Sequence, residues 1–170
     1  MIESGIFKNL LFIDIETVSL TKTFHELPER LQVAWEHKSL YINKEELPIE
    51  DLYFKKAGIY SEFGKIITIS VGVVYFDKGI LKTRIKSLRN NDEKALLKDF
   101  LLIINKYNQD NLILCAHNGK EFDFPYISRR LLVNNIELPE SLKLSGKKAP
   151  AIVPFTRRKA WTRKRLSWWE

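Results

Sequence analysis

Nine consecutive residues, Asn9-Leu10-Leu11-Phe12-Ile13-Asp14-Ile15-Glu16-Thr17, form an apolar run interrupted by two carboxylates. The run is made of strand-forming residues, and in a β-strand residues i and i+2 share a face. Asp14 and Glu16 therefore project side by side. Two like charges crowded near a core are costly unless something neutralises them. A divalent metal ion is the simplest neutraliser, because hard cations such as Mg²⁺ prefer carboxylate oxygen. A frayed strand end with both carboxylates in water fits the same pattern, so a third acid elsewhere has to separate the two readings.

The chain has 170 residues, enough for one domain with a real core. Its single cysteine, Cys115, excludes an intrachain disulfide and lies in the apolar run Leu112-Ile113-Leu114-Cys115-Ala116, where a small buried thiol is expected. That usage suits a reducing compartment, and a cytoplasmic location is expected. The N-terminus shows no basic region followed by a long apolar stretch, and no apolar run approaches the ~20 residues that span a bilayer, so no signal peptide and no membrane partner are expected. The net charge is +7. Nine Lys or Arg and one acid, Glu170, fall between Lys143 and the end, so that segment carries +8 and the rest −1. The polyanion signal of a basic chain thus comes from the tail alone.

Residues 6–16 read as a first strand. Leu27, Leu31, Ala34 and Trp35 recur at helical spacing after Pro28, which suits a helix start, so the stretch from 22 to about 60 reads as a helical insertion. The β-branched run from Ile66 to Phe76 is the strongest strand, and Asp77-Lys78-Gly79 turns it into a third strand from Ile80 to Leu88. Asn91 or Asp92 caps a helix carrying Leu96, Leu97, Phe100, Leu101 and Ile104. Asn108 to Asn111 breaks it, and Leu112 to Ala116 is a short buried strand. His117 to Lys120 is a loop, Phe122 to Val133 a helix with Pro125 in its first turn, and Pro139 ends the pattern. A hairpin plus a strand reached through a helix makes an α/β fold with a mixed sheet.

The third acid is Asp123, at a loop-to-helix junction just after the strand ending at Ala116. If that strand runs parallel beside the first, three carboxylates converge. Phe12-Ile13-Asp14-Ile15-Glu16-Thr17 resembles the first motif of the DEDD-type (DnaQ-like) 3′–5′ exonucleases of the ribonuclease H-like superfamily, and His117-Asn118-Gly119-Lys120-Glu121-Phe122-Asp123 resembles their second. Glu26 to Arg30 and Ala57 to Ile66 also look like the predicted exonucleases related to the proofreading domain of family B DNA polymerases. The resemblance covers residues 6–148. It implies a ribonuclease H-like three-layer fold and two divalent metal ions, Mg²⁺ or Mn²⁺, held by Asp14, Glu16 and Asp123 as catalytic ligands. It further implies single-stranded DNA or RNA 3′ ends as partners and a substrate side that includes Thr17, Leu20, Asn118 and His117.

Taken one by one, these residues have plainer readings. Asp123 suits a helix N-terminus on charge alone, and His117 suits a structural role. Phe122 and Phe124 suit the core. Lys120, Arg129 and Arg130 suit either phosphate contact or solvated surface.

The chain departs from the family late. A fourth aspartate, preceded in a late helix by a tyrosine or histidine, is expected and missing: Asp123 is the last aspartate, and Glu137, Glu140 and Glu170 are the only acids beyond it. The tail from Ala149 to Glu170 has no clean period and holds three of the four tryptophans in its last ten residues. It reads as out-of-frame translation, with a natural basic-aromatic arm or an artefact as the alternatives. The domain is accordingly placed at 1–148, truncated at the C-terminus, with 149–170 as an atypical tail. Without a fifth strand, 112–116 is expected to be an open edge prone to pairing with another chain, and one sheet face is expected to be bare. The function expected is a 3′–5′ exonuclease releasing nucleoside monophosphates, impaired by the missing ligand. A non-catalytic nucleic-acid binder of the same fold is the alternative.

Overall fold

Leu11, Ile13 and Ile15 are buried while Asp14 and Glu16 stand exposed between and beyond them, the period-two signature of a half-buried strand. The computed structural model describes residues 7–107, 111–143 and 151–154. This first strand, β1, runs Leu10–Ser19, four residues later than the run of residues 6–16 suggested; Phe7 is helical and Lys8 and Asn9 form a turn.

β1 enters the insertion through a 3-10 turn, Phe24–Glu26. The helices α1 (Glu29–Ile42) and α2 (Ile49–Lys56) and a second 3-10 turn, Ala57–Ile59, complete it. Each helix follows a proline, Pro28 or Pro48, whose fixed φ suits a helix start. The insertion has its own core, built on Trp35, whose ring meets Tyr53 at 5.3 Å and Phe63 at 5.0 Å, both edge-on.

The β-branched run forms β2 (Gly64–Asp77), and Lys78-Gly79, both with positive φ, turns it into β3 (Ile80–Arg89). Helix α3 (Glu93–Ile104) starts at Asp92, whose carboxylate accepts from the Lys94 amide at 2.8 Å. β4 (Ile113–Ala116) and helix α4 (Asp123–Val133) follow, then a 3-10 turn, Glu140–Leu142, after Pro139. The turn expected at Asn108 to Asn111 lies, at 108–110, outside the described residues.

The sheet order is β3-β2-β1-β4-β5, with β1/β2 and β2/β3 antiparallel and β1/β4 and β4/β5 parallel. This is the mixed sheet of the expected α/β fold. One face carries the main core, where Leu96, Leu97, Phe100, Phe124, Ile127 and Leu131 from α3 and α4 meet the inward residues of the strands. On the other face Phe76, Leu81 and Ile85 are exposed.

One expectation is corrected here. The strand β5 (Ala151–Pro154) lies parallel to β4, with Leu114 opposite Ile152 and Cys115 opposite Val153. The segment read as tail therefore supplies the fifth strand, and 112–116 is an interior strand. Flanked by β1 and β5, β4 offers no open edge to another chain. The tail beyond Pro154, with its basic and tryptophan residues, lies outside the described residues. Arg130 is a second correction to a surface reading. It is buried, donating to Glu93 from Nε at 2.9 Å and Nη2 at 2.5 Å and to the Ser61 carbonyl at 3.0 Å. Among the described residues no helix is long and apolar enough to cross a membrane.

Candidate functional site

Pairing between β1 and β4 covers only Leu10–Phe12 against Ile113–Cys115, yet β1 continues to Ser19. The second half of β1 thus has a free edge where β4 has ended. The chain leaves β4 through Asn118, whose positive φ of 55° an asparagine tolerates, and through Gly119. A Cβ on Gly119 would lie 2.6 Å from Ala116 Cβ and 2.7 Å from the Phe124 ring, so only glycine lets the loop fold this tightly under α4. The Asn118 carbonyl accepts the amides of Glu121 and Phe122, both at 3.0 Å, and the turn delivers Asp123 to the head of α4.

Asp123 fills the gap on β1. Its carboxylate accepts from its own amide and from the amide of Ile15, the residue between Asp14 and Glu16. It is 3% exposed. Burial raises its pKa from 3.8 to about 6, the two amides lower it, the charge of Asp14 raises it, and that of His117 lowers it. Asp14 is therefore its electrostatic neighbour, with His117 beside them. Asp14 and His117 also line an open cavity of about 340 Å³ with Phe12, Ser70, Ile85 and Cys115. Cys115 is buried, and burial pushes its thiol up, as expected for an apolar position.

Glu16 stays exposed on the Asp14 face of β1, opposite Thr68. The register slips by one residue between Glu16 and Thr17, where β2 carries an extra residue, Ile67. Such a bulge sharpens the local twist and re-aims side chains. No group of three His, Cys, Asp or Glu close enough to hold a metal ion occurs among the described residues. The donor chemistry suits a hard divalent cation: Asp14 and Asp123 offer carboxylate oxygen, and no Lys or Arg pairs with either among the described residues. Asp14 lies near enough for its charge to raise the pKa of Asp123, and Glu16 is two residues along the strand, with no three-ligand cluster among the described residues. Of the later acids, Glu137 is exposed and Glu140 pairs with Lys143.

Thr17 and Leu20 are placed by the insertion. The Tyr126 hydroxyl, from α4, donates to the Gly58 carbonyl at 2.8 Å and accepts from Thr17, and burial pushes its pKa up. This phenol bolts α4, β1 and the insertion together. Sequence reasoning passed over it; the Phe122-to-Tyr126 spacing of four residues, with the rings 5.4 Å apart, is the signal that marks its helix face. Leu20 packs against the insertion core and its amide donates to the Phe63 carbonyl at 2.8 Å. Asn118 and His117 are both exposed, and His117 lines the same cavity as Asp14.

Residues 9–158 match the family described as DNA polymerase family B, exonuclease domain, ten residues beyond the C-terminal limit of 148 drawn from the motifs. No curated protein sequence matches the chain. Among solved structures it is similar to the family B DNA polymerase from the hyperthermophilic archaeon Pyrobaculum calidifontis, at 16% identity and a TM-score of 0.38. That match covers 76% of this chain and 11% of the polymerase. With the match running through both carboxylate-bearing segments, the chain belongs to the family of family B DNA polymerase exonuclease domains.

Proposed function

We propose that this chain is a metal-dependent 3′–5′ exonuclease that removes nucleoside monophosphates from single-stranded or frayed 3′ ends. The reading is supported by the electrostatic proximity of Asp14 to a buried Asp123 whose carboxylate is stabilised by two amides and the charge of His117. A buried carboxylate beside a second one is a poor arrangement for a chain without a cation. It is the arrangement expected where two divalent ions are to be held. Asp14 and Asp123 would hold them, with Glu16 completing the set from the same strand face. Divalent ions bound there supply Lewis-acid activation of water and neutralise the departing 3′ oxygen.

The remaining residues have supporting tasks. The Ile15 amide fixes the Asp123 carboxylate against β1. The Tyr126–Thr17 bond holds β1 in place, and Thr17 and Leu20 line the clefts in which a terminal nucleotide would pack. Asn118 and His117, both exposed, would meet the substrate phosphodiester. The test is a 5′-labelled single-stranded oligonucleotide incubated with Mg²⁺ or Mn²⁺. Stepwise loss from the 3′ end, abolished in Asp14→Ala, is expected. An oligonucleotide left at full length under both metals refutes the reading.

A second reading has its own support. Among the described residues Glu16 is not gathered with the other two acids into a metal-holding group. A non-catalytic nucleic-acid binder retains the fold without needing a complete ligand set. Binding without trimming, lost in high salt, is its signature.

A further inference from the structure

Three clefts adjoin at the end of the sheet just beyond Glu16. The first, of about 600 Å³, lies between the second half of β1 and the insertion, and its walls include Lys22, Lys55, Phe54 and Ile59. The second, of about 570 Å³, shares Val18, Ser19 and Lys22 with the first and adds Glu26 and Lys65. The third, of about 900 Å³, shares Lys65 with the second and ends at Arg89. Four cations thus succeed one another in the order Lys55, Lys22, Lys65, Arg89.

None of the four belongs to an ion pair among the described residues. Lys22, Lys55 and Arg89 are exposed and Lys65 is half-buried. The linings hold one acid, Glu26, which accepts from the Lys22 amide at 3.0 Å, so four cations stand against a single carboxylate. At the insertion end Phe54 is 79% exposed and Ile59 53% exposed. The strand register ties this path to the carboxylates: Glu16 lies opposite Thr68, Thr68 lies opposite Arg89, and Thr17 lines the first cleft.

We infer that the three clefts form one path for a single-stranded polynucleotide. Lys55, Lys22, Lys65 and Arg89 meet its phosphates, and Phe54 stacks on a base. A net excess of unpaired cations along a groove together with an exposed aromatic ring is what sequence-tolerant single-strand binding uses. A flexible strand can follow the turn from α2 around the end of β1 to β3, which a stiff duplex cannot. The inference rests on the nucleic-acid reading above and deepens it by naming the track that leads to the carboxylates.

The test is binding of a fluorescent single-stranded oligonucleotide to the full chain in EDTA, by anisotropy across a salt series. Single-strand binding loses about 0.7 in log affinity per phosphate contact for each tenfold rise in salt. The fourfold variant Lys22→Gln, Lys55→Gln, Lys65→Gln, Arg89→Gln is expected to lower the slope by about 2.8. Phe54→Ala is expected to weaken binding about fivefold or more at unchanged slope. Lys98→Gln, on the exposed side of α3, is expected to change neither. No binding, or a fourfold variant with the wild-type slope, overturns the path; in the latter case the nine cations from Lys143 onward carry the affinity. Equal affinity for a blunt duplex, insensitive to Phe54→Ala, overturns the single-strand assignment. Because EDTA removes hydrolysis, binding through the path in a chain that never trims refutes the exonuclease reading alone. Trimming with an unchanged slope refutes the path alone.

Discussion

Replacing Asp123 with asparagine should stabilise the metal-free chain at neutral pH. Asp123 is buried, and its pKa in the folded chain lies at about 6 against 3.8 for an ordinary aspartate. A folded-state pKa above the unfolded one means that the folded chain holds the proton more tightly between these values. Stability is therefore full below the ordinary value, falls as pH rises from about 4 to about 6, and stays reduced above that. At 1.36 kcal/mol per unit, ionised Asp123 costs the fold about 3 kcal/mol at pH 7. Asparagine keeps an oxygen for the Ile15 amide and removes the charge. For a chain of this length that amounts to a melting temperature about 6–12 °C higher in EDTA. Thermal melts at pH 3.5 and pH 7.5 measure it: the two proteins should nearly coincide in acid and separate at neutral pH. Added Mg²⁺ should raise the wild-type melt through preferential binding to the native state and move the variant less. A variant that melts below wild type at pH 7.5, or a gap that does not change with pH, refutes the reasoning about Asp123.

Two further outcomes concern the frame around the site. Arg130→Met leaves Glu93, which is 9% exposed, as a buried carboxylate without its cation, although Asn134 and the Ile66 amide still bond it; urea unfolding should show a loss of about 3–5 kcal/mol. Gly119→Ala drives a methyl group into Ala116 and Phe124, and should cost about 1–3 kcal/mol by the same measurement while lowering trimming by displacing Asp123.

The sequence made some of this geometry readable and hid the rest, for physical reasons. The ladder of Ile66 to Phe76 and the cap at Asp92 are local signals, fixed by side-chain shape and by a hydrogen bond two residues long. Ala151–Pro154 gave none. A four-residue strand paired in parallel has too little length for a period to emerge, and the basic residues that follow it dominate the composition. The bulge at Ile67 was equally hidden: it appears as two successive outward residues, Ile67 and Thr68, between the inward residues Ile66 and Ile69 in the unbroken β-branched stretch Ile66–Ile69. Arg130 looked like surface because its partners, Glu93 and the Ser61 carbonyl, are 37 and 69 residues away. The same separation scatters Lys22, Lys55, Lys65 and Arg89, which only the sheet end assembles. Asp14 and Glu16 were legible as a pair. Asp123 was legible through the resemblance of its motif, whereas its bond to the Ile15 amide required the register of β4.

That register is the source of the site. Had β4 continued past Ala116, its backbone would have met β1 at Ile15 and taken the amide that Asp123 now holds. The tight turn at Asn118 and Gly119 stops β4 after four residues, so the free edge of β1 opens beside its two carboxylates. A buried acid can then enter where a strand would otherwise lie. The arrangement weakens the metal-free fold by the ionisation of Asp123 and brings two carboxylates into one place. Lengthening β4 would relieve the first and abolish the second, so the stability of this sheet and the proximity of its carboxylates are set by the same few residues.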